Sequence, residues 1–450
     1  MDKRTIAILL VLTVLGIGLR IHWVLYVPTQ QLYDFATFLE TASNIYHGRG
    51  HTLNGNPMAW VGPGYSYALA LFHFISGSDN PFNAQLLNVI LSIATLVMSA
   101  FVYIKWFLDD DIKILIAYGI TAVFPHFIAY NNVAGTETLF LFLLAGLLLA
   151  RLYIPLGRKQ AIIMGLICGL AALTKPFMLA YPAVALAMWW MQGKDAKVTL
   201  VRTIVMIGAM LLVIAPWTIR NYRAFDQFIL ISYNMGYNQI VNNNYANIRG
   251  AWMPLDAVPM PEALRTQVQN SLQDGRTIKE AYELDAPLGD QARHWMIRNP
   301  VAVTQLALLR VQRTFFNGAD DITQWAMNDW DFYDGRGISP VRNQRHMHFF
   351  EGMFAIVANV FAAMGLIFVL VNLWSYVSAF FSIDYDRYVP IAESMVFIHI
   401  AFFVAIVAAF EGQERYAHPV FIFFIFALIW LCSKRGAAAR HEFKLHSYAG

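Results

Sequence analysis

The chain has 450 residues, 58% of them hydrophobic, 15% aromatic and 14% charged, with a net charge of +3. A soluble domain carries about 25% charged residues and cannot hide this much apolar surface. Disorder needs the opposite balance, and no basic run of the kind that grips nucleic acid is present. Cys168 and Cys432 both lie in apolar runs, so neither a disulfide framework nor a cysteine-rich metal site is available. The composition is that of an all-α polytopic membrane protein.

A crossing helix needs about 20 mostly apolar residues. About ten stretches are predicted to supply one: Ile6–Tyr26, Ala84–Phe107, Ile112–Tyr130, Thr138–Ile154, Ala161–Leu173, Phe177–Met191, Leu200–Trp217, Met353–Val377, Ile391–Phe410 and Pro419–Cys432. The first follows Lys3 and Arg4, has no small-residue cleavage site, and reads as a retained helix. A further apolar segment, Gly64–Ile75, opens on the Gly62–Pro63–Gly64 turn and decides the topology. If it lies in the interface, Lys3 and Arg4 share one side with Arg151, Arg158, Lys159, Lys194, Lys197 and Arg202. Lys434, Arg435, Arg440 and Lys444 fall there too. Cationic short loops prefer the cytoplasm, so ten crossings, cytoplasmic termini and an interfacial Gly64–Ile75 are expected.

Two large pieces then lie outside: a first loop of residues 27–83 and an α-rich region of residues 220–351. The expected division is a transmembrane module of residues 1–219, the external region, and C-terminal helices with a tail in residues 352–450. In the external region, amphipathic stretches around Thr277–Arg298 and Val301–Phe316 are expected to turn Arg293, Arg298, Arg310 and Arg313 toward headgroups.

Ionisable residues at membrane-helix ends are functional candidates. Asp34 opens a short predicted helix just after the first crossing, where a carboxylate also serves as an ordinary helix-start residue. Glu40, farther along that helix, reads as structural. Glu137 lies in the turn between the third and fourth crossings, and also suits plain capping. Lys175, Arg220 and Arg415 lie at helix ends on the same side by charge parity; each alone is a snorkelling cation. Together they offer the fork and point charges a phosphate needs. His346 and His348 form a two-histidine motif with no third ligand at matching spacing, and Trp325–Tyr333 reads as an aromatic interfacial or sugar-stacking surface. No P-loop, Gly-x-Ser-x-Gly elbow or His-Glu-x-x-His occurs.

These residues resemble the membrane glycosyltransferases of the C-type fold, which take sugars from polyprenyl-phosphate carriers; protein O-mannosyltransferases and the lipid A aminoarabinose transferase belong to that family. The marks are the Asp34 loop helix, the Trp60–Tyr65 segment, the acidic turn at Glu137, Leu173–Thr174–Lys175–Pro176, and Pro216–Tyr222. Tyr233–Asn238, Asn242–Asn244 and Glu414–Arg415–Tyr416 continue the likeness. It implies that Asp34 is the catalytic base on the outer face and Glu137 the second acid, with Lys175 beside the carrier phosphate and Arg220 and Arg415 as further phosphate contacts. Trp60, Tyr65, Tyr222, Asn234, Asn238 and Tyr416 would then line the substrate pocket. Two departures stand out: Asp34 is followed by Phe35 where relatives carry paired acids, and Glu137 stands where Asp is common.

The expected function is inverting glycosyl transfer at the external face of a plasma (inner) membrane, from a polyprenyl-phosphate sugar to a lipid, glycan or protein acceptor. No cofactor is required by this scheme, although Asp34 and Glu137 offer a place for a divalent cation. A flippase of lipid-linked sugars, an oligosaccharide ligase and a non-catalytic scaffold are the alternatives.

Overall fold

The computed structural model describes residues 1–108, 110–316, 319, 321–328, 341–382 and 390–433, without the side chains of 341–351. It is built from helices, with one two-residue β-hairpin pairing Thr52–Leu53 and Asn56–Pro57. In chain order the first ten helices are α1 (Lys3–Tyr26), α2 (Asp34–Tyr46), α3 (Gly64–Ser76), α4 (Phe82–Trp106), α5 (Asp111–Val123), α6 (Pro125–Ala129), α7 (Thr136–Tyr153), α8 (Arg158–Thr174), α9 (Tyr181–Gly193) and α10 (Ala196–Phe225). There follow α11 (Met235–Asn242), α12 (Glu262–Ser271), α13 (Asp285–Arg298), α14 (Pro300–Phe316), α15 (Val341–Phe381), α16 (Ile391–Ala409) and α17 (Phe421–Cys432).

Among the described residues, seven helices or helix runs are long and apolar enough to cross a membrane, and eight if the bent pair α5 and α6 counts as one. The other two predicted stretches form the short helices α8 and α9, of 17 and 13 residues, with the helical turn Pro176–Ala180 leading into α9. Pro176 separates them, since it forbids α8 to continue. The α3 helix, 13 residues long, is short of a crossing. It buries Tyr65, Leu69 and His73 and exposes Tyr67, Leu71, Phe74 and Ile75.

The sequence explains the ends of these helices. Asp2 caps α1 by accepting from the Thr5 amide at 2.7 Å, and the Thr5 hydroxyl donates to Asp111 at 2.8 Å, tying α1 to the start of α5. Along α1, Leu10, Val11, Val14 and Leu25 are exposed, as expected of a helix whose solvent is lipid. Arg20, which the apolar run concealed, is buried in α1. Its guanidinium donates to Ser92 Oγ at 2.7 Å and to the carbonyls of Gly16 and Ala122 at 2.9 Å. Ala122 lies where Pro125 bends the chain by 48°, so Arg20 satisfies a carbonyl at the break.

Within the region predicted to be external, α11 packs on α13. Asp285 Oδ1 accepts from the amides of Gly236 at 2.6 Å and Tyr237 at 3.3 Å, capping α11 from outside the helix. A Cβ at Gly236 would collide with the Asp285 carbonyl. One expectation is corrected here. Arg310 is fully buried, donating to the Asn242 carbonyl at 2.7 Å, Asn243 Oδ1 at 2.8 Å and the Ala408 carbonyl at 3.0 Å, and so does not face headgroups. Buried carbonyls left over at the ends of α11 and α16 claim its guanidinium. Arg313 reaches Glu414 at 3.6 Å, and Arg293 stays exposed beside Asp290 at 3.1 Å.

Candidate active site

A cavity of about 340 Å³ lies where the ends of α2, α7, α8 and α16 meet the segment after α10. That size falls within the usual range for small-molecule sites, about 300–1,000 Å³. Its polar residues include Asp34, Glu137, Lys175, Ser232, Asn234, Asn238, Glu411, Arg415 and Tyr416; Phe140, Phe177, Leu179, Phe403, Val407 and Phe410 form an apolar wall.

Each charged side chain is delivered by a local rule. Tyr33 has φ 51°, a value L residues avoid, and the chain turns there so that Asp34 is the first residue of α2. Gly135 precedes Glu137 with no room for a Cβ, which would lie 2.7 Å from Glu137 Oε2 and 2.8 Å from the Phe35 ring. Lys175 stands before Pro176, whose ring disfavours helical backbone at the preceding residue. At φ −134°, ψ 101°, Lys175 leaves the α8 axis and its ammonium reaches Glu137 Oε1 at 2.8 Å.

Glu137 is only 3% exposed, and among the described residues its second oxygen, Oε2, has no hydrogen-bond partner. Burial holds the Lys175 ammonium below the ordinary lysine value, against the pull of Glu137. Two cations lie over the Tyr416 ring, Lys175 Nζ 5.6 Å from its centroid and the Arg415 guanidinium 5.3 Å away. The Tyr416 hydroxyl donates to Glu411 Oε2 at 3.0 Å. Glu411 is buried, which pushes its carboxyl above the ordinary value despite nearby Arg415.

Arg415 is the exception among the cavity's ionic groups. Among the described residues its only hydrogen bond is a long one, 3.5 Å, to the Tyr416 hydroxyl; its Nε is buried without a partner, and no carboxylate lies within 4.0 Å. A guanidinium so placed is a strong acceptor-seeking group.

The predicted site residues divide. Asp34, Glu137, Lys175, Asn234, Asn238, Arg415 and Tyr416 come together around the cavity. Arg220 does not line it: its guanidinium donates to the carbonyls of His51 at 2.6 Å and Met58 at 3.1 Å, bracing the first loop. Trp60 packs on Tyr237 with ring centroids 4.9 Å apart, while Tyr65 is buried and donates to Asn88 at 3.2 Å. Val61 and Gly62, between them, reach the cavity instead. Tyr222 is exposed and lies away from it. Glu40 accepts from the Asn54 amide at 2.8 Å, in keeping with a structural role. The side chains of His346 and His348, and residues 329–333 of the aromatic stretch, lie outside the described residues.

Sequence reasoning missed Glu411, Ser232 and Lys279. Glu411 stands four residues before Arg415, a spacing that would have flagged it. Lys279 belongs to a polar turn and carries no local signal, yet its ammonium lies 2.9 Å from Asp34 Oδ1 and 2.8 Å from Thr37 Oγ1.

No protein-family model matches the chain, and no curated relative matches it by sequence. Solved structures do. The oligosaccharyltransferase AglB from Archaeoglobus fulgidus, in complex with an inhibitory peptide and a dolichol-phosphate, matches 97% of this chain at 12% identity with a TM-score of 0.51. The two chains share a fold. A form of the archaeal enzyme tethered to an acceptor peptide matches 99% of this chain at 12% identity and a TM-score of 0.52. This chain spans about half the length of that enzyme, 51%. ArnT from Cupriavidus metallidurans bound to undecaprenyl phosphate matches 92% of this chain and 77% of its own, at 12% identity and a TM-score of 0.42. The fold is therefore that of the transmembrane part of the archaeal oligosaccharyltransferase, in an all-α membrane protein.

Proposed function

We propose that the chain is an inverting membrane glycosyltransferase that moves a sugar from a polyprenyl-phosphate carrier to an acceptor at the external face of the plasma membrane. Arg415 carries this reading: a buried cation in the cavity with no carboxylate of its own, close to the two acids expected of the chemistry. Asp34, Glu137 and Glu411 support its charge from a distance, and a phosphate monoester or diester supplies the hydrogen-bond acceptors in bidentate form. The apolar wall from Phe140 to Phe410 suits the isoprenoid tail. The archaeal enzyme of the same fold solved with a dolichol-phosphate fits such a carrier.

Phosphate is a good leaving group and needs charge stabilisation more than a general acid. Asp34 takes the proton of the acceptor hydroxyl or amine as its lone pair attacks the anomeric carbon. The bond from that carbon to the phosphate oxygen breaks, its electron pair leaving on the phosphate beside Arg415, with Lys175 adding positive charge. A single displacement inverts the anomeric centre. Glu137 Oε2 faces the acceptor or sugar as an acceptor of hydrogen bonds. Residues 220–351 act as the external cover, and both termini lie in the cytoplasm.

The test compares lipid and glycan masses in cells carrying the wild type and Asp34→Asn at equal expression. The mutant is expected to accumulate one polyprenyl-phosphate sugar and to lose the matching sugar from one envelope molecule. Unchanged profiles, with wild type and mutant equally abundant, sink the transferase reading and favour a flippase.

A further inference from the structure

A form of the archaeal enzyme of the same fold was solved with zinc and sulfate, which raises the fit of a divalent cation at Asp34 and Glu137. The side chains do not fit one. Both carboxylates already hold an ammonium: Lys279 Nζ at 2.9 Å from Asp34 Oδ1, and Lys175 Nζ at 2.8 Å from Glu137 Oε1. A dication at Oδ1 or Oε1 meets a like charge at contact distance, and one at the second oxygen of either carboxylate shares that carboxylate with an ammonium already in place. Among the described residues, no three His, Cys, Asp or Glu side chains are grouped to ligate a metal.

The ammonium at Asp34 is held there by a braced turn. Arg276 pairs with Glu283 at 2.9 Å. The Thr277 hydroxyl donates to Glu280 Oε2 at 2.8 Å, and Asn56 donates to Glu280 Oε1 at 3.2 Å. The Tyr233 hydroxyl donates to the Lys279 carbonyl itself at 2.7 Å. Four contacts thus fix the backbone, so that Lys279 gives up little further freedom on meeting its partner. Thr37, one turn along α2 from Asp34, accepts a second ammonium hydrogen at 2.8 Å. Among the described residues Asp34 Oδ2 receives no donor, so one oxygen is tied and the other is left to take a proton.

We infer that Lys279 is the built-in counter-cation of Asp34, a positioning residue that fixes the carboxylate and makes transfer by this chain independent of a divalent metal. The inference rests on the glycosyltransferase reading for its catalytic part and on side-chain geometry alone for its binding part. In the reaction Lys279 stays charged throughout. It gives no proton to substrate and holds Oδ1 while Oδ2 receives the acceptor's proton.

The experiment uses the purified full chain in liposomes with a polyprenyl-phosphate sugar, after exhaustive chelation, and in parallel titrates Mn²⁺ by electron paramagnetic resonance. Wild type is expected to keep its rate after chelation and to show no Mn²⁺ site that Asp34→Asn removes. Lys279→Ala is expected to lower kcat about 10- to 100-fold, the scale on which residues that orient a reacting group act. The donor KM changes less than about threefold, because Lys279 does not line the cavity. Lys279→Arg restores most of the rate, which a merely structural lysine loss would not predict for a melting temperature equal to that of Lys279→Ala. The inference is overturned if chelation stops the wild type and Mn²⁺ restores it, if wild type binds Mn²⁺ through Asp34, or if Lys279→Ala turns over normally. If no chain transfers sugar, the glycosyltransferase reading fails, and the Mn²⁺ titration alone decides whether Lys279 excludes a metal from Asp34.

Discussion

Lys175 and Glu137 form a buried pair whose members depend on each other. Removing one partner of such a pair costs up to about 3–5 kcal/mol, less here for Glu137 because Arg415 also supports its charge, whereas replacing both by neutral groups of similar shape is close to neutral. Lys175→Met is therefore expected to lower unfolding stability by less than that amount, and the double variant with Glu137→Gln to recover most of the loss. A double-mutant cycle in chemical denaturation measures both. His51 sets a second expectation. It is 1% exposed, and burial, with Arg220 adding to it, pushes its imidazole from 6.5 down to about 4. The folded chain holds it neutral while the unfolded chain takes up a proton at the ordinary value, so stability is lost as pH falls from 6.5 toward about 4. Between pH 7.5 and pH 5 the loss is about 2 kcal/mol; thermal melts of wild type and His51→Gln, the latter flatter with pH, check it. Asp34, Glu137, Lys175 and Arg415 were legible in the sequence because each is an ionisable group at the end of an apolar run, where cost demands a reason. Arg220 satisfied the same rule and serves the first loop, since nearby carbonyls claim its donors first. Lys279 was not legible, because a lysine in a polar turn is ordinary and its partner lies 245 positions away.

Glycines decide how closely the elements that carry the site approach one another. A Cβ on Gly62 would collide with the Leu173 carbonyl, and one on Gly64 with the Thr174 hydroxyl. The Gly62–Pro63–Gly64 turn therefore lies against the end of α8, one residue from Lys175. Gly62→Ala should push the two apart, costing about 1–3 kcal/mol and lowering transfer. Gly208→Ala, in open space on α10, should leave both unchanged; melting temperature and initial rate together distinguish the variants. The turn itself was readable from its Gly-Pro-Gly chemistry, but its neighbour was not, because nothing local encodes packing between elements so distant in sequence. Long crossings were readable from apolar length alone. The brevity of α8 and α9 was readable too, because Lys175 and Pro176 interrupt the apolar run between Leu173 and Phe177.

Across the whole molecule, buried polar groups tie regions that composition separates. Arg310 joins the end of α11 to the end of α16 through the carbonyls of Asn242 and Ala408. Arg310→Met leaves those carbonyls unsatisfied, each at about 1–3 kcal/mol, and should lower the melting temperature and open the α11–α14 region first to proteolysis. Hydrogen exchange or limited digestion checks the order. The interior is also more polar than its apolar runs imply. It holds Asn88, His126, Arg20, His399, His418 and Asp321, the last accepting from the Tyr130 hydroxyl at 2.5 Å. Such residues are diluted by their apolar neighbours in any sequence window, and their partners come from other helices.

The cavity draws its walls from the far ends of the chain, with Asp34 near the start and Arg415 some 381 positions later. At about 5–20 residues per second, a ribosome needs roughly 20–80 s to cover that interval. During biogenesis the early helices enter the bilayer with the acids in place and Arg415 still unmade. On the proposed reading, a half-inserted chain lacks the cation that meets the phosphate, and a truncation before Glu411 is expected to be inert however well its first helices insert.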